Sequence, residues 1–222
     1  GRKQGAGFRE EEMRLLEDLA AQAAVALEHA RLDVGMESAC LETIAALALA
    51  VESGDPYARG HLSRVSDLAA HVARAMGLPD GDVLRLKDAA RIYDVGKIGI
   101  LEGVLSKPDP LSDEEKGMVR RYPEVSESMV RPFPSLDPLR DTIRHHREFL
   151  DGTGYPDGIR GDAVLLPARI LGVVDIFDAL LRDTPYRKAL AIPDAERELR
   201  SMGEKIDQKV VDALMAVVRR PS

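Results

Sequence analysis

The stretch Leu166-Pro-Ala-Arg-Ile-Leu-Gly-Val-Val-Asp-Ile-Phe-Asp-Ala-Leu-Leu-Arg182 is the most apolar segment in the second half of the chain. This pattern predicts a helix buried in the core of a globular domain. Two acids, Asp175 and Asp178, interrupt it. Burying a carboxylate is costly unless a cation or a metal ion pairs with it. The stretch therefore predicts a polar site inside the core.

A second apolar stretch, Ile92-Tyr-Asp-Val-Gly-Lys-Ile-Gly-Ile100, carries Asp94 and Lys97 in the same way. Taken alone, Asp94 or Asp175 in such a run pairs with Lys97 or with an arginine. Two buried acids in separate apolar stretches also match the donor set of a metal site, so both interpretations stay open at this point.

The composition favours an all-α fold. The 222 residues correspond to one large domain or two small ones. Hydrophobic residues make up 45% of the chain and charged residues 31%, whereas aromatic residues make up only 4% and Trp is absent. Strands prefer β-branched and aromatic side chains, so this composition argues for helices and against an all-β fold. We expect an all-α helical bundle with a long N-terminal helix.

Charge and cysteine usage limit the partners and the compartment. A net charge of −7 argues against broad nucleic-acid binding, which needs a basic surface, but leaves a local basic pocket open. The single cysteine, Cys40, excludes an intrachain disulfide and predicts a reducing, cytoplasmic environment. No apolar run reaches the roughly 20 residues of a membrane span. Because the sequence does not begin with Met, we interpret it as a fragment of a longer protein.

Helical periodicity is present along most of the chain. Phe8–Ser53 is predicted as one long helix, interrupted only by Gly35. The apolar stripe of Phe8–Gly35 needs a covering surface, which predicts a homodimer through this helix, with folding back onto the bundle as the alternative. Ser112 and Glu115 match a capping box. Further helices are predicted at His61–Met76, Gly81–Val95, Ser112–Tyr122, Pro138–His146, Leu166–Arg182, Asp194–Met202 and Gln208–Arg219.

Several short motifs, in a fixed order along the chain, carry a resemblance to a known family. They are His61, Asp94-x-Gly-Lys97, His146, Gly154-Tyr155-Pro156 and Asp175-x-x-Asp178. Over about residues 41–218 the chain resembles the HD-GYP family, the cyclic di-GMP phosphodiesterases of the HD superfamily. Upstream, Leu15-Leu-Glu-Asp-Leu-Ala-Ala-Gln-Ala-Ala-Val-Ala-Leu-Glu28 resembles the last helix of a GAF sensor domain. We therefore expect residues 1–35 to be a GAF exit helix and signalling linker, and residues 36–222 to be an HD-GYP domain.

The resemblance implies a helical bundle that holds two or three metal ions, often iron or manganese. In such a site an aspartate bridges two ions, a metal-bound water attacks the phosphodiester, and a lysine and other basic residues hold the phosphate. It implies cyclic di-GMP as ligand and, through the Gly154-Tyr155-Pro156 loop, a diguanylate-cyclase domain as a further partner. The matching positions are His61, Asp94, His146 and Asp175 for the metal, Asp94 and Lys97 for catalysis, and Lys97, Tyr155, Arg187 and Lys188 for the substrate.

Three positions where the family carries metal-binding histidines are substituted here. Tyr93 stands in the His-Asp pair and Tyr122 stands in a later His-Pro pair. The register that needs no gap makes His146 the first of two adjacent ligands and Arg147 the replacement of the second. An alternative register keeps His145 with His146 as the pair, but it needs one extra residue before the Gly-rich loop. Two further departures from the family pattern are Tyr57 and Thr184.

These substitutions predict at most one metal ion, bound by His61, Asp94 and Asp175. A tyrosine phenol loses its proton only near pH 10, so it is a poor ligand at neutral pH. Arg147 brings a fixed positive charge that repels a cation and that we expect to pair with a carboxylate or a phosphate.

Three functions are compatible with this pattern. The first is a degenerate HD-GYP domain with weak or no phosphodiesterase activity and a regulatory or nucleotide-sensing role. The alternative is an active, metal-dependent cyclic di-GMP phosphodiesterase, and the third is a structural or partner-binding module. The retained basic residues and Gly-rich loop favour ligand binding over the third, although each basic residue also fits an ordinary surface salt bridge. Metal content and nucleotide binding distinguish the three.

Overall fold

The chain folds into a bundle of α-helices, for which a computed structural model describes residues 38–54, 58–100, 112–184 and 187–219. It divides into two compact units, Gly1–Cys40 and Leu41–Ser222, and the second holds nearly all of the described residues. Within the described ranges the only strand-like pairing is an isolated bridge between Thr184 and Arg187. The prediction of an all-α fold is confirmed.

The helix bounds agree with the sequence periodicity to within a few residues. Ser112 caps its helix as predicted, since its side chain accepts the N–H of Glu115 while the Glu115 side chain accepts the N–H of Ser112. We number the helices α1 (residues 38–53), α2 (His61–Ala75), α3 (Asp80–Ile92), α4 (Asp113–Arg120), α5 (Tyr122–Val130), α6 (Asp137–His145), α7 (Leu166–Leu180), α8 (Ile192–Ser201) and α9 (Gln208–Val218). A short 3-10 helix, Val95–Gly99, follows α3.

One predicted helix has different bounds in the structure, and another lies outside the described residues. The predicted helix Ser112–Tyr122 stops at Arg120, and a separate helix, α5, begins at Tyr122 with Pro123 in its first turn. Pro lacks a backbone N–H and is therefore favoured at a helix start. Pro123 was thus a sequence signal for a new helix, whereas apolar periodicity alone did not indicate one. The predicted dimer helix Phe8–Gly35 lies outside the described residues. None of the helices that the structure describes is long and apolar enough to cross a membrane.

The predicted core helix, α7, lies at the centre of the bundle. It packs against α2, α6, α8 and α9, and α2 packs in turn against α3. Its acids Asp175 and Asp178 are 2% and 4% exposed, so both are removed from water as the sequence predicted. The apolar side chains that α7 buries include Ile170, Leu171, Val174 and Phe177.

Two glycines let backbone segments approach closely around the buried acids. A Cβ at Gly96 would lie 2.3 Å from the Tyr122 carbonyl oxygen and 2.5 Å from the Ser126 backbone nitrogen. A Cβ at Gly172 would lie 2.4 Å from the His146 carbonyl oxygen. Neither backbone can yield that much space, so only Gly fits at both positions. These contacts bring the 3-10 helix onto α5 and bring α7 onto the end of α6.

Candidate functional site

His61 is the first residue of α2 and lies between two acids of α7. Its Nδ1 is 2.8 Å from Asp178 Oδ2, and its Nε2 is 3.0 Å from Asp175 Oδ1 and 3.9 Å from Asp94 Oδ2. Burial opposes protonation of the ring, but the hydrogen bonds to Asp175 and Asp178 and the charge of Asp94 raise the pKa of His61 to about 9. His61 is therefore an imidazolium at neutral pH and donates to both acids of α7.

Tyr93 ends α3 and is fully buried beside His61. Its hydroxyl lies 2.7 Å from His61 Nε2 and donates to Asp175 Oδ1 over 2.8 Å. Burial, with the nearby charge of Asp175, raises the pKa of Tyr93 well above its usual range, so the phenol keeps its proton. The phenol thus occupies the space between two candidate metal ligands as a neutral hydrogen-bonding group.

Arg147 follows α6 and reaches the cluster of buried side chains around His61, Tyr93 and Asp175, which we call the centre. Its Nη2 forms an ion pair with Asp175 Oδ2, and its Nε donates to the Tyr122 hydroxyl over 2.7 Å. Burial disfavours the Asp175 carboxylate, but the charges of Arg147 and His61 outweigh it and hold the Asp175 pKa far below its usual range. The expected pairing of Arg147 with a carboxylate is thus realised with Asp175.

His146 is buried on the other side of Tyr122. Its Nδ1 is 2.7 Å from the Ile143 carbonyl, which fixes the proton on Nδ1, and its Nε2 therefore accepts from the Tyr122 hydroxyl over 2.7 Å. Burial and the charge of Arg147 lower the pKa of His146 to about 4, so the ring is neutral. The lone pair that would bind a metal is used by Tyr122.

Asp94 and Lys97 lie at the side of this centre that is nearest to solvent. Asp94 is buried, and the Lys97 side chain is partly exposed. Lys97 Nζ lies 2.5 Å from Asp94 Oδ2, while Asp94 Oδ1 is buried without a hydrogen-bond partner. Each buried acid is thus paired with a basic residue, as one of the two initial interpretations holds. A small pocket opens beside them. It is lined by Ala48, Val51, Glu52, Ala58, His61, Leu62, Asp94 and Lys97.

A family model described as an HD domain matches residues 45–210. The chain belongs to the HD-domain family. Among curated proteins, this HD domain is 37% identical over 179 residues to a cyclic di-GMP phosphodiesterase response regulator of Xanthomonas campestris, covering 78% of this chain and 47% of that protein. It is 35% identical over 170 residues to a 3'3'-cGAMP-specific phosphodiesterase of Vibrio cholerae, covering 76% of this chain and 37% of that protein. The chain therefore spans less than half the length of these relatives.

Solved structures agree with the fold of this HD domain. An HDG"Y"P protein from Bdellovibrio bacteriovorus superimposes with a TM-score of 0.61 at 21% identity, over 72% of this chain and 52% of that chain. A cyclic GMP-AMP specific phosphodiesterase of Vibrio cholerae superimposes with a TM-score of 0.52 at 29% identity, over 82% of this chain and 42% of that chain. The first of these likenesses supports the helical architecture alone.

The side chains of this HD domain do not fit the two-metal centre that the resemblance implies. Within the described ranges, no group of three or more His, Cys, Asp or Glu side chains is arranged to hold a metal ion. The physical cause is visible at each candidate ligand. The Tyr93 hydroxyl lies between His61 and Asp175, His146 is hydrogen-bonded to Tyr122, and Asp175 is paired with Arg147.

The adjacent histidines point to different places. The His146 ring faces the centre, whereas His145 Nε2 lies 3.0 Å from Asp157 Oδ2 in the Gly-rich loop. Arg144 forms two further hydrogen bonds with Asp157, of 2.6 and 2.7 Å. His146 and Arg147 thus reach the centre and His145 does not, while the choice between the two registers remains a prediction.

The expected substrate-binding residues divide into two groups. Tyr155 lies beside the centre, since its backbone N–H donates to the Arg147 carbonyl over 3.1 Å, and Lys97 lines the pocket. Arg187 instead donates to the backbone carbonyls of Ala179, Leu180 and Lys188, each over 3.0 Å. The exposed Lys188 pairs with Asp183 over 3.1 Å.

Sequence reasoning missed the arginines that surround Asp178. Arg64 Nε lies 2.8 Å from Asp178 Oδ1, and Arg182 Nη2 lies 3.3 Å from the same oxygen. The signals were present: Arg64 follows His61 by one helical turn, and Arg182 follows Asp178 at i,i+4 spacing, at the end of α7. Neither spacing is specific enough to separate these residues from ordinary surface arginines.

Proposed function

We propose that this HD domain is a degenerate HD-GYP domain of a cytoplasmic signalling protein, which binds cyclic di-GMP as a regulatory ligand and hydrolyses it weakly or not at all. The observation that carries the proposal is the Arg147–Asp175 ion pair. The Arg147 guanidinium pairs with Asp175, which the resemblance assigns as a metal ligand. The names of the curated relatives, which include cyclic di-GMP phosphodiesterases, support the class of ligand.

Loss of activity follows from the charges at the centre. A metal site would supply the attacking hydroxide and absorb charge that develops on the phosphate oxygens. Arg147 supplies positive charge and hydrogen-bond donors, but it cannot lower the pKa of a water molecule by direct coordination. His61, as an imidazolium, cannot accept a proton from water either. The residues present therefore support phosphate binding better than hydrolysis.

Ligand binding is supported by the pocket beside the centre. Lys97 reaches its rim, and Asp94 Oδ1 is a buried acceptor without a donor, which is the kind of group that a ligand or a water molecule completes. We further propose that residues 1–35 are a GAF exit helix and linker that dimerises the protein. The Tyr155 loop is proposed to contact a diguanylate-cyclase domain, and any metal is limited to one iron or manganese ion.

An active phosphodiesterase is the second candidate. It is favoured by the convergence of His61, Asp94 and Asp175, which stand at ligand positions by resemblance, with Nε2 of His61 within 3.9 Å of both acids. For this candidate to hold, a metal would have to displace the proton of His61 and the hydroxyl of Tyr93.

Three measurements on the purified chain distinguish these functions: bound iron and manganese, binding of cyclic di-GMP by calorimetry, and its hydrolysis by chromatography. We expect nucleotide binding with at most one metal ion per chain and turnover well below about 1 per second, an ordinary enzyme rate. Lys97→Met should weaken nucleotide binding, while Lys116→Met, which removes an exposed lysine paired with Asp113, should not. Two ions with fast turnover would establish the enzyme, and neither binding nor turnover would refute both candidates.

A further inference from the structure

Asp178 lies at the centre of a cluster of basic groups on the outer side of His61. Its side chain is only 6% exposed, and four N–H groups surround its two oxygens. Arg64 supplies Nε at 2.8 Å and Nη2 at 3.0 Å, Arg182 supplies Nη2 at 3.3 Å, and His61 supplies Nδ1 at 2.8 Å. Two permanently charged guanidiniums therefore share one carboxylate, which leaves an excess positive charge even without His61.

Other basic residues of the site have partners that compensate them. Lys97 pairs with Asp94, Arg147 pairs with Asp175, and Lys188 pairs with Asp183. Arg187, which the resemblance assigns to substrate binding, has its guanidinium directed at three backbone carbonyls. At the Asp178 cluster, by contrast, two guanidiniums share one carboxylate and both arginine side chains reach solvent.

Arg182 has an unused donor at this cluster. Its Nε is buried and has no hydrogen-bond acceptor among the described residues, although a buried donor without a partner costs free energy. The side chains of Arg64 and Arg182 are nevertheless 32% and 38% exposed, so a ligand can reach them from solvent. An anion that reaches the exposed part of these two side chains would compensate the excess charge.

We infer that Arg64 and Arg182 form an anion site that takes a phosphate group. A guanidinium presents several N–H donors in one plane, which matches the oxygens of a phosphate as well as those of a carboxylate. His61 separates this site from Arg147, because Nδ1 faces Asp178 while Nε2 faces Asp175. If the proposed function holds, one phosphate of the cyclic dinucleotide lies at Arg64 and Arg182 and the other lies toward Lys97 and Arg147.

The test uses the full chain with inorganic phosphate and cyclic di-GMP as separate titrants, monitored by calorimetry at low salt. Arg182→Gln should weaken cyclic di-GMP binding by about tenfold and remove the heat of phosphate binding, because it removes a charge. Arg182→Lys should restore part of the affinity, because the charge returns without the planar fork. Arg197→Gln, which removes an arginine that is 79% exposed and paired with Asp194, is the matched control and should change either affinity less than about twofold.

Arg182 is also suitable because Asp178 keeps both bonds from Arg64 when Arg182 is replaced, so the variant should unfold at the wild-type temperature. Wild-type binding of phosphate that Arg182→Gln abolishes, with no cyclic di-GMP binding in either protein, would uphold the anion site and refute the proposed function. Equal binding of both titrants by wild type and Arg182→Gln would refute the anion site. A wild-type protein that binds neither phosphate nor cyclic di-GMP would also refute the anion site.

Discussion

Two buried carboxylates of this protein are paired with arginines in different ways. Glu127 on α5 is 2% exposed, and its Oε2 and Oε1 accept from Arg131 and Arg140 over 2.5 and 2.6 Å. Asp175 on α7 is equally buried, but its Oδ2 faces Arg147 without a well-aligned hydrogen bond. The first acid is paired with side chains that reach the surface, and the second is paired with Arg147 and His61 in the interior.

The difference separates a structural cluster from a functional one. Glu127 joins α5 to α6 through Arg140, and every oxygen has a donor, so the cluster leaves no opening for a ligand. At the centre, Asp94 Oδ1 has no hydrogen-bond partner among the described residues, and a pocket lies beside Asp94. Unsatisfied buried polar atoms are rare in folded proteins, and they mark the places where a ligand, a water molecule or an ion completes the structure.

The largest effect is expected when histidines are introduced at the three positions where the family carries metal ligands, because this change would make the centre a metal site while leaving the Glu127 cluster unchanged. The triple variant Tyr93→His, Tyr122→His, Arg147→His should raise the bound metal toward two ions per chain and then raise cyclic di-GMP hydrolysis by more than about a hundredfold. Elemental analysis and a chromatographic assay measure the two effects. Each single reversion should change little, because a two-metal site acts as a unit. An unmodified protein that already holds two ions and turns over at about 1 per second would show that these residues are not disabling.

Removal of Arg147 tests whether its charge is needed for folding. Arg147→Met removes one of the two cations that pair with the buried Asp175 and leaves only His61, which should lower the free energy of unfolding by about 3 kcal/mol in urea denaturation. Arg131→Met, the matched change at the Glu127 cluster, should leave the urea midpoint unchanged, because Arg140 still pairs with Glu127 and Arg131 is 57% exposed. Equal destabilisation by the two changes would remove the distinction between the clusters.

Removal of the Glu127 charge should have a smaller effect. Glu127→Gln keeps the size of the side chain, and the exposed arginines can turn to water, so we expect a loss of about 2 kcal/mol, below the cost of a fully buried broken pair. Urea denaturation at pH 7 measures it. An unchanged free energy of unfolding would show that the cluster does not hold α5 to α6. Cyclic di-GMP affinity serves as the control, and it should be the same as in the wild type.

The smallest effect is expected in the pH dependence of that loss. Hydrogen bonds from Arg131, and also from Arg140, lower the pKa of Glu127 below its usual 4.5 although burial opposes them. The stabilisation is therefore complete above pH 4.5 and is lost as the pH falls through the lowered pKa. The difference between wild type and Glu127→Gln should stay constant from pH 6 to 8 and shrink below pH 4.5. A difference that grows on acidification would contradict this sign.

The sequence predicted the helices better than the contacts between their side chains. Apolar periodicity gave the buried helix α7 and its two acids, and the capping box at Ser112 gave the start of α4, because both signals are local. The division at Arg121 was missed, since it depends on Pro123 more than on periodicity. The dimer helix and the domain assignment of residues 1–35 remain predictions.

For the site, sequence position named the residues but not their partners. Resemblance placed His61, Asp94 and Asp175 together, and they do converge. It also assigned a substrate role to Arg187, whose guanidinium is directed at the end of α7 instead. The choice between a phosphate and a backbone carbonyl depends on where the chain turns after α7, which no local pattern encodes.

The interlocked hydroxyls at the centre limit how this protein can change by mutation. Tyr122 accepts from Arg147 and is bonded to His146, and Tyr93 links His61 to Asp175. If Tyr93, Tyr122 or Arg147 alone is replaced by histidine, a buried partner of that residue loses its hydrogen bond. An unpaired polar group in the interior costs about 1–3 kcal/mol of stability. Single replacements at these positions should therefore lower stability without creating a metal site, so a two-metal centre requires several simultaneous replacements.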